Sequence, residues 1–220
     1  VIVRAVVALG MGIAVIGGVL MVSAGRWDLP WLWAYTAGWG LYAVVSAGVA
    51  LRYNPELVAE RMGPPSDRDR LTRMLALPPM LGHLVVAGLD VGRFGWSSVS
   101  LPIHLLGFAA LTAGWGFVAW TFATNTFASS AVRIQEDRGQ RVVEHGPYAI
   151  VRHPMYLGVL LTAIGSGPAV GSWWAGLVVL PIIPIFIRRT RLEDRLLHDE
   201  LPGYRDYAQR TRWKVVPGLY

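Results

Sequence analysis

The sequence predicts an all-α fold: a polytopic membrane bundle of about six transmembrane helices, closed by a C-terminal helical hairpin and a projecting, kinked last helix. Three observations predict it. Hydrophobic residues make up 54% of the 220 and charged residues only 15%, against about 25% charge in a soluble domain. Several apolar runs approach the ~20 residues that a helix needs to cross a bilayer. The basic residues, which leave a net charge of +6, sit between those runs. They therefore read as orientation signals in a membrane and not as a nucleic-acid footprint. No cysteine is present, which excludes disulfides, thiolate-held metal and a cysteine nucleophile.

The first span is expected over Ile2 to Val22, with Arg4 snorkelling at its end. Its Gly10, Gly12, Gly17 and Gly18 suit close helix packing. The run lacks a small-residue cleavage site and reads as a retained helix and not as a removed signal peptide. The second span is expected over Trp31 to Leu51, with Trp31, Trp33 and Tyr35 in an interfacial belt. Residues 52–73 are polar. Asn54-Pro55-Glu56 reads as a helix start, with Asn as cap and Pro at the first helical position. Leu57, Val58, Arg61 and Met62 would lie along the membrane surface, and Asp67 to Arg73 reads as a solvated charge run.

The third span, Met74 to Leu89, is short, and Pro78 and Pro79 predict a kink or a late start. The fourth runs from Leu101 to Thr124. His83 and His104 lie in apolar stretches, but neither has a second ligand at helical spacing, so no metal role is assigned. After a polar loop over 125–153 come two apolar runs, Pro154 to Ser166 and Ser172 to Ile187, which form the hairpin. A helix from Ser172 to Asp199 would extend about 42 Å, more than the roughly 30 Å of hydrocarbon. It should therefore project from the membrane, kinked at Pro181 and Pro184.

Six crossings sort the charges. Of the 20 Lys and Arg residues, 18 fall on one side (Arg4, those in 52–73 and 125–153, and those from Arg188 onward), leaving Arg26 and Arg93 on the other. The positive-inside rule then puts both termini in the cytoplasm. The chain divides into an N-terminal helical region, 1–124, on the substrate side and a catalytic region, 125–220.

The densest chemistry lies at Gly146-Pro147-Tyr148 and Arg152-His153-Pro154-Met155-Tyr156-Leu157-Gly158, on the cytoplasmic face. His153 precedes proline and should be extended. Pro154 should open a helix whose N-terminus can receive an anion. Tyr148 and Tyr156 offer stacking faces, Arg152 a cation, and Gly158 room for a flat ligand or another helix. Glu193 and Asp194 reach the same depth from the last helix, so the site would have a cationic, aromatic wall and an anionic one.

These residues, with Glu200-Leu201-Pro202-Gly203-Tyr204, resemble the isoprenylcysteine carboxyl methyltransferase family, and phospholipid N-methyltransferases share a similar signature. Asn54-Pro55-Glu56-Leu57 resembles bacterial members. The resemblance implies an integral enzyme of a bacterial or archaeal cell membrane that uses S-adenosyl-L-methionine. It places Tyr148, His153, Pro154, Tyr156, Gly158, Glu193 and Asp194 around the cofactor, and it makes Arg152 and Glu193 the catalytic pair. The family commonly has Glu-Glu where this chain has Glu193-Asp194. The expected partner is a lipophilic or prenylated acceptor within membrane lipid, with no nucleic acid and no metal. O-methylation of a prenylcysteine carboxylate is the leading expectation. Phospholipid N-methylation, an NADPH-dependent reductase of the sterol type and a non-catalytic lipid binder are the alternatives.

Overall fold

The computed structural model describes residues 2–62 and 69–220, except for the side chains of residues 2, 4 and 5. Arg4, Asp67 and Arg68 therefore lie outside the described side chains. The described elements are helical: α1 (Ile2–Ala24), α2 (Pro30–Tyr53), α3 (Pro55–Arg61), α4 (Arg70–Gly88), α5 (Leu101–Thr124), α6 (Pro154–Val170), α7 (Trp173–Val179), α8 (Ile182–Glu200) and α9 (Tyr204–Arg210). Four helical stretches are long and apolar enough to cross a membrane: Val6–Ala24, Pro30–Tyr53, Arg70–Phe94 and Leu101–Thr124. Helix α6 is apolar but shorter. The chain is thus a multi-pass membrane bundle.

The third span is longer than its apolar run suggested. Helix α4 starts at Arg70, where the Asp69 carboxylate caps it, and it runs through Pro78 and Pro79 without a break. It continues as a π-helix over Leu89–Phe94. Proline is tolerated in membrane helices because neighbouring helices supply alternative partners for the backbone. The last expected span is instead interrupted. α7 ends at Val179, and α8 starts only after Pro181, then passes through Pro184. A proline at the first turn suits a new helix better than the middle of an old one.

Helices α5 and α6 meet backbone to backbone. A Cβ on Gly114 would lie 2.6 Å from Gly158 O, and one on Gly165 would lie 2.7 Å from Gly107 O. On each helix the two glycines are seven residues apart, two helical turns, so they form a seam of small residues along one face. α4 approaches α1 in the same way, where a Cβ on Gly88 would lie 2.5 Å from Leu20 O. Of the α1 glycines expected at an interface, Gly17 faces Thr36, whereas Gly10, Gly12 and Gly18 have no neighbour within 4 Å of an added Cβ.

At the end of the bundle away from α8's charged half, Asp90 is fully buried. It accepts from Ser97 N at 2.8 Å and from the hydroxyls of Ser97 and Ser172, each at 2.6 Å. Ser172 Oγ in turn caps α7 by accepting from Ala175 N. A buried carboxylate persists only when its lone pairs are filled, and this one ties the loop after α4 to the α6–α7 turn. The core between these ends packs Leu20, Met21, Leu32, Leu84, Leu111 and Val170.

Candidate active site

The turn before α6 is built as its sequence dictates. Gly146 is left-handed at φ 61° and opens a short 3₁₀ turn over Gly146–Ala149. His153 is non-helical, at φ −127° and ψ 66°, and Pro154 takes the first helical position. The C-terminal tail returns to this turn. Arg152 N donates to Trp213 O at 2.9 Å and His153 N to Lys214 O at 2.8 Å. The tail therefore forms one wall of the site.

The acidic pair splits into two roles. Asp194 is 4% exposed. It receives Arg152 through Nε at 3.0 Å and Nη2 at 3.3 Å, the Tyr204 hydroxyl at 3.0 Å and Lys214 Nζ at 3.0 Å, with His153 Nε2 3.4 Å away. Burial opposes its ionisation, but hydrogen bonds from His153, Arg152 and Lys214 prevail and hold its carboxyl well below the usual carboxylate range. Asp194 is thus the hub that joins α8, α9 and the tail to the turn before α6.

Arg152 is committed to the same hub. Its Nη1 donates to Thr211 O and Arg212 O, each at 3.0 Å. With Asp194 on its other edge, both forks of this guanidinium are engaged within the protein. Gly158 faces Gly114 in the α5–α6 seam, so of the two neighbours expected beside it, a flat ligand or another helix, it is a helix that approaches closely.

Glu193 and Tyr156 do share a cleft. The Tyr156 hydroxyl donates to Glu193 Oε2 and accepts from Arg189 Nε at 2.8 Å. Arg189 also reaches Asp69 Oδ2 at 3.3 Å and Ser130 O at 2.7 Å. Asp69 is not part of a solvated run, because it is 3% exposed and also pairs with Arg188 at 3.0 Å. Asp69, Arg188 and Arg189 therefore lock the start of α4 to α8. His153 stacks on Tyr156 at 5.7 Å. Tyr148 lines the cleft and accepts from Asn125 Nδ2 at 2.7 Å. Burial pushes the phenols of Tyr148, Tyr204 and Tyr207 above their usual range.

The cleft runs between 125–129, 140–143, the turn before α6 and α8, and has a volume of about 70 Å³. A second cavity of about 320 Å³ lies inside the bundle. Its walls are apolar and aromatic, including Trp39, Tyr42, Leu84, Trp115, Ala163 and Phe186. Phe186 packs edge-on against Tyr156 at 5.6 Å, so this contact divides the cavity from the cleft. Val15, Leu77 and Met80 line the cavity and are about half exposed. The cavity therefore opens between α1 and α4 toward lipid. Deep in it, Ser166 Oγ lies 2.6 Å from Tyr35 OH and 2.7 Å from His83 Nε2. His104 instead stacks on Trp31 at 4.5 Å and places Nδ1 3.1 Å from Ala169 O. Among the described residues, no group of three or more His, Cys, Asp or Glu is placed to hold a metal ion.

Residues 102–201 match the family model described as phospholipid methyltransferase. The match runs from the start of α5 to the end of α8 and includes the turn before α6, Tyr156, Glu193 and Asp194. Two curated proteins are also similar. The nickel-cobalt-cadmium resistance protein NccN of Alcaligenes xylosoxydans xylosoxydans is 28% identical over 129 residues, which cover 58% of this chain and 57% of that protein. The cobalt-zinc-cadmium resistance protein CzcN of Cupriavidus metallidurans is 29% identical over 133 residues, which cover 58% and 56%. The chain thus spans somewhat more than half the length of these relatives.

Several residues of the site carry little signal in the sequence. Arg189 reads as an ordinary helix pair with Glu193 until Tyr156 is seen between them. Asp69 is hidden within a charge run. Asn125 and Lys214 reach the site only through chain reversals of about twenty residues or more, which no local pattern encodes.

Proposed function

We propose that the protein is a membrane methyltransferase that takes its methyl group from S-adenosyl-L-methionine and delivers it to the polar head of a lipophilic acceptor. The observation that carries this reading is the meeting of two compartments at Tyr156: a polar cleft with Glu193 above, and an apolar cavity open to lipid below. The match of residues 102–201 to phospholipid methyltransferases supports an amine-bearing phospholipid as the acceptor. The charge distribution supports a cytoplasmic cleft and cytoplasmic termini.

The donor set of the cleft suits the cofactor. Glu193 offers a carboxylate for its ammonium, and Arg141 an exposed cation for its carboxylate. Tyr148 and Phe127 offer ring faces for its adenine. His153, Pro154 and Tyr156 form the floor, and Asp194 fixes that floor through Arg152. When bound, the cofactor supplies an electrophilic methyl group on a sulfonium. The protein's part is to align the acceptor and to remove water from its attacking atom. The cleft is narrow, so the wall over Gln140–Val143 must move outward to admit a nucleoside.

The second reading, the carboxylate of a prenylated cysteine, draws on the Arg152–Gly158 motif. Proton bookkeeping separates the two. An amine of pKa roughly 10 arrives as an ammonium. With Glu193 engaged by the cofactor, its proton leaves to water, so the rate should rise about tenfold per pH unit below that pKa. A carboxylate acceptor is already ionised and should give a flat profile over the same range.

Calorimetry with S-adenosylhomocysteine tests the site itself. The wild type should bind, and Glu193→Gln should weaken binding by about tenfold or more, the worth of one charge-assisted hydrogen bond. Unchanged binding in that variant would remove Glu193 from the site.

A further inference from the structure

Arg61, the last residue of α3, is only partly used. It is half-buried. Its Nη1 donates to Ala128 O at 2.9 Å and lies 4.0 Å from Met155 Sδ, and its guanidinium carbon sits 4.7 Å from the centre of the Phe122 ring. Among the described residues no carboxylate pairs with it, and its Nε and Nη2 make no hydrogen bond to them. Its neighbours differ in this respect. Arg133 meets Glu60 and Asp137, Arg138 meets Glu56, Arg152 meets Asp194, and Arg188 and Arg189 meet Asp69.

Its position is equally specific. Arg61 reaches an apolar cluster of Val118, Phe122, Ala128, Tyr42 and Met155. Tyr42 and Val118 line the intramembrane cavity, whereas Ala128 and Met155 line the cleft. Tyr42, Tyr156 and Arg189 all lie close enough to Arg61 to bear on its charge. Burial also pushes the guanidinium below its usual pKa. A desolvated cation without a counter-charge is unfavourable, and the Phe122 face offsets only part of that. An oxyanion on the Nε–Nη2 edge would complete a bidentate fork.

We propose that Arg61 is the anion-recognition residue for the acceptor: its Nε–Nη2 edge receives the oxyanion of a membrane amphiphile's headgroup, a phosphodiester or a carboxylate. The contact would hold the head between cavity and cleft with the hydrocarbon in the cavity, and so would set which atom enters the cleft. This rests on the reading of the cavity as the acceptor's site, but it concerns lipid recognition and not methyl transfer.

The test uses the full chain in detergent, with native mass spectrometry or displacement of a fluorescent lipid. The ligands are phosphatidylethanolamine, farnesylcysteine and uncharged diacylglycerol. The wild type should prefer one or both oxyanion-bearing ligands over diacylglycerol by about tenfold or more. Arg61→Gln should abolish that preference and leave diacylglycerol and S-adenosylhomocysteine binding unchanged. Arg61→Lys, which keeps the charge and loses the fork, should retain part of it. The favoured head, phosphate or carboxylate, identifies the source of the anion. Equal wild-type affinity for diacylglycerol, or a preference that survives in Arg61→Gln, overturns the proposal. Wild-type lipid discrimination without S-adenosylhomocysteine binding would sink the methyltransferase reading and leave the Arg61 site standing.

Discussion

Replacing Asp194 by asparagine should unfold the site, whereas replacing its neighbour Glu193 should only empty it. The amide keeps the shape of the side chain but loses the charge that balances Arg152, at 3.0 Å and 3.3 Å, and Lys214, at 3.0 Å. Arg152 is 7% exposed, so water cannot replace the lost partner. Breaking a buried pair from one side costs about 3–5 kcal/mol. That loss should appear in an unfolding titration, and proteolysis should cut first in 201–220, the segment that the hub anchors. The pH dependence has a definite sign. The folded pKa of Asp194 is depressed, so its stabilisation is complete above the unfolded carboxylate value of about 3.9 and is lost as pH falls below it. The wild type should lose stability in that acidic window, and Asp194→Asn should lose less there because it starts without the contribution. If Asp194→Asn lies within about 1 kcal/mol of wild type and yet loses S-adenosylhomocysteine binding, Asp194 touches the ligand directly and the hub assignment is wrong.

Three further outcomes follow from the packing. Gly114→Val should destabilise the fold by at least about 1–3 kcal/mol, because its side chain would enter backbone 2.6 Å away at Gly158 O in a helix seam with no slack; the helical signal on heating reports it. Ala163→Trp should fill the intramembrane cavity, raising KM for the acceptor at least about tenfold with little change in S-adenosylhomocysteine affinity; loss of both would mean that cavity and cleft are not separate. Asp90→Ala should cost about 2–4 kcal/mol, because the Ser97 and Ser172 hydroxyls would lose their shared acceptor, and hydrogen exchange should rise first over 89–100.

The helices are legible because membrane spans are the strongest signal a sequence carries. The apolar run from Leu101 to Thr124 and helix α5 occupy the same residues. Differences arise where the apolar run and the helix are different things. Helix α4 extends beyond Met74 to Arg70, because Asp69 caps a polar first turn that no hydropathy window includes. Asn54 does stand at the α3 boundary, but its side chain makes no cap bond. Its Nδ2 instead donates to Phe122 O at 2.6 Å, satisfying a carbonyl at the end of α5. The site is legible as a cluster but not as a division of labour. Arg152, Asp194 and Gly158 stand in the motif beside Tyr156 and Glu193, and one-dimensional spacing cannot tell a residue that meets the ligand from one that aims it.

That division has a physical basis. On the proposed reading the site must hold a polar cofactor beside a cavity filled by hydrocarbon, and the wall between them needs charged groups that do not attract water into the bundle. Arg152 and Asp194 meet this need by neutralising each other behind the cleft, and Arg189 by pairing with Asp69 beside it. Among the described residues, Glu193 and Arg141 line the cleft, and Arg61 stands beside the cluster that separates the cleft from the cavity. An acceptor with a charged head and an apolar tail would find one partner for each part along a single path, from the opening between α1 and α4, past Tyr42, to Tyr156.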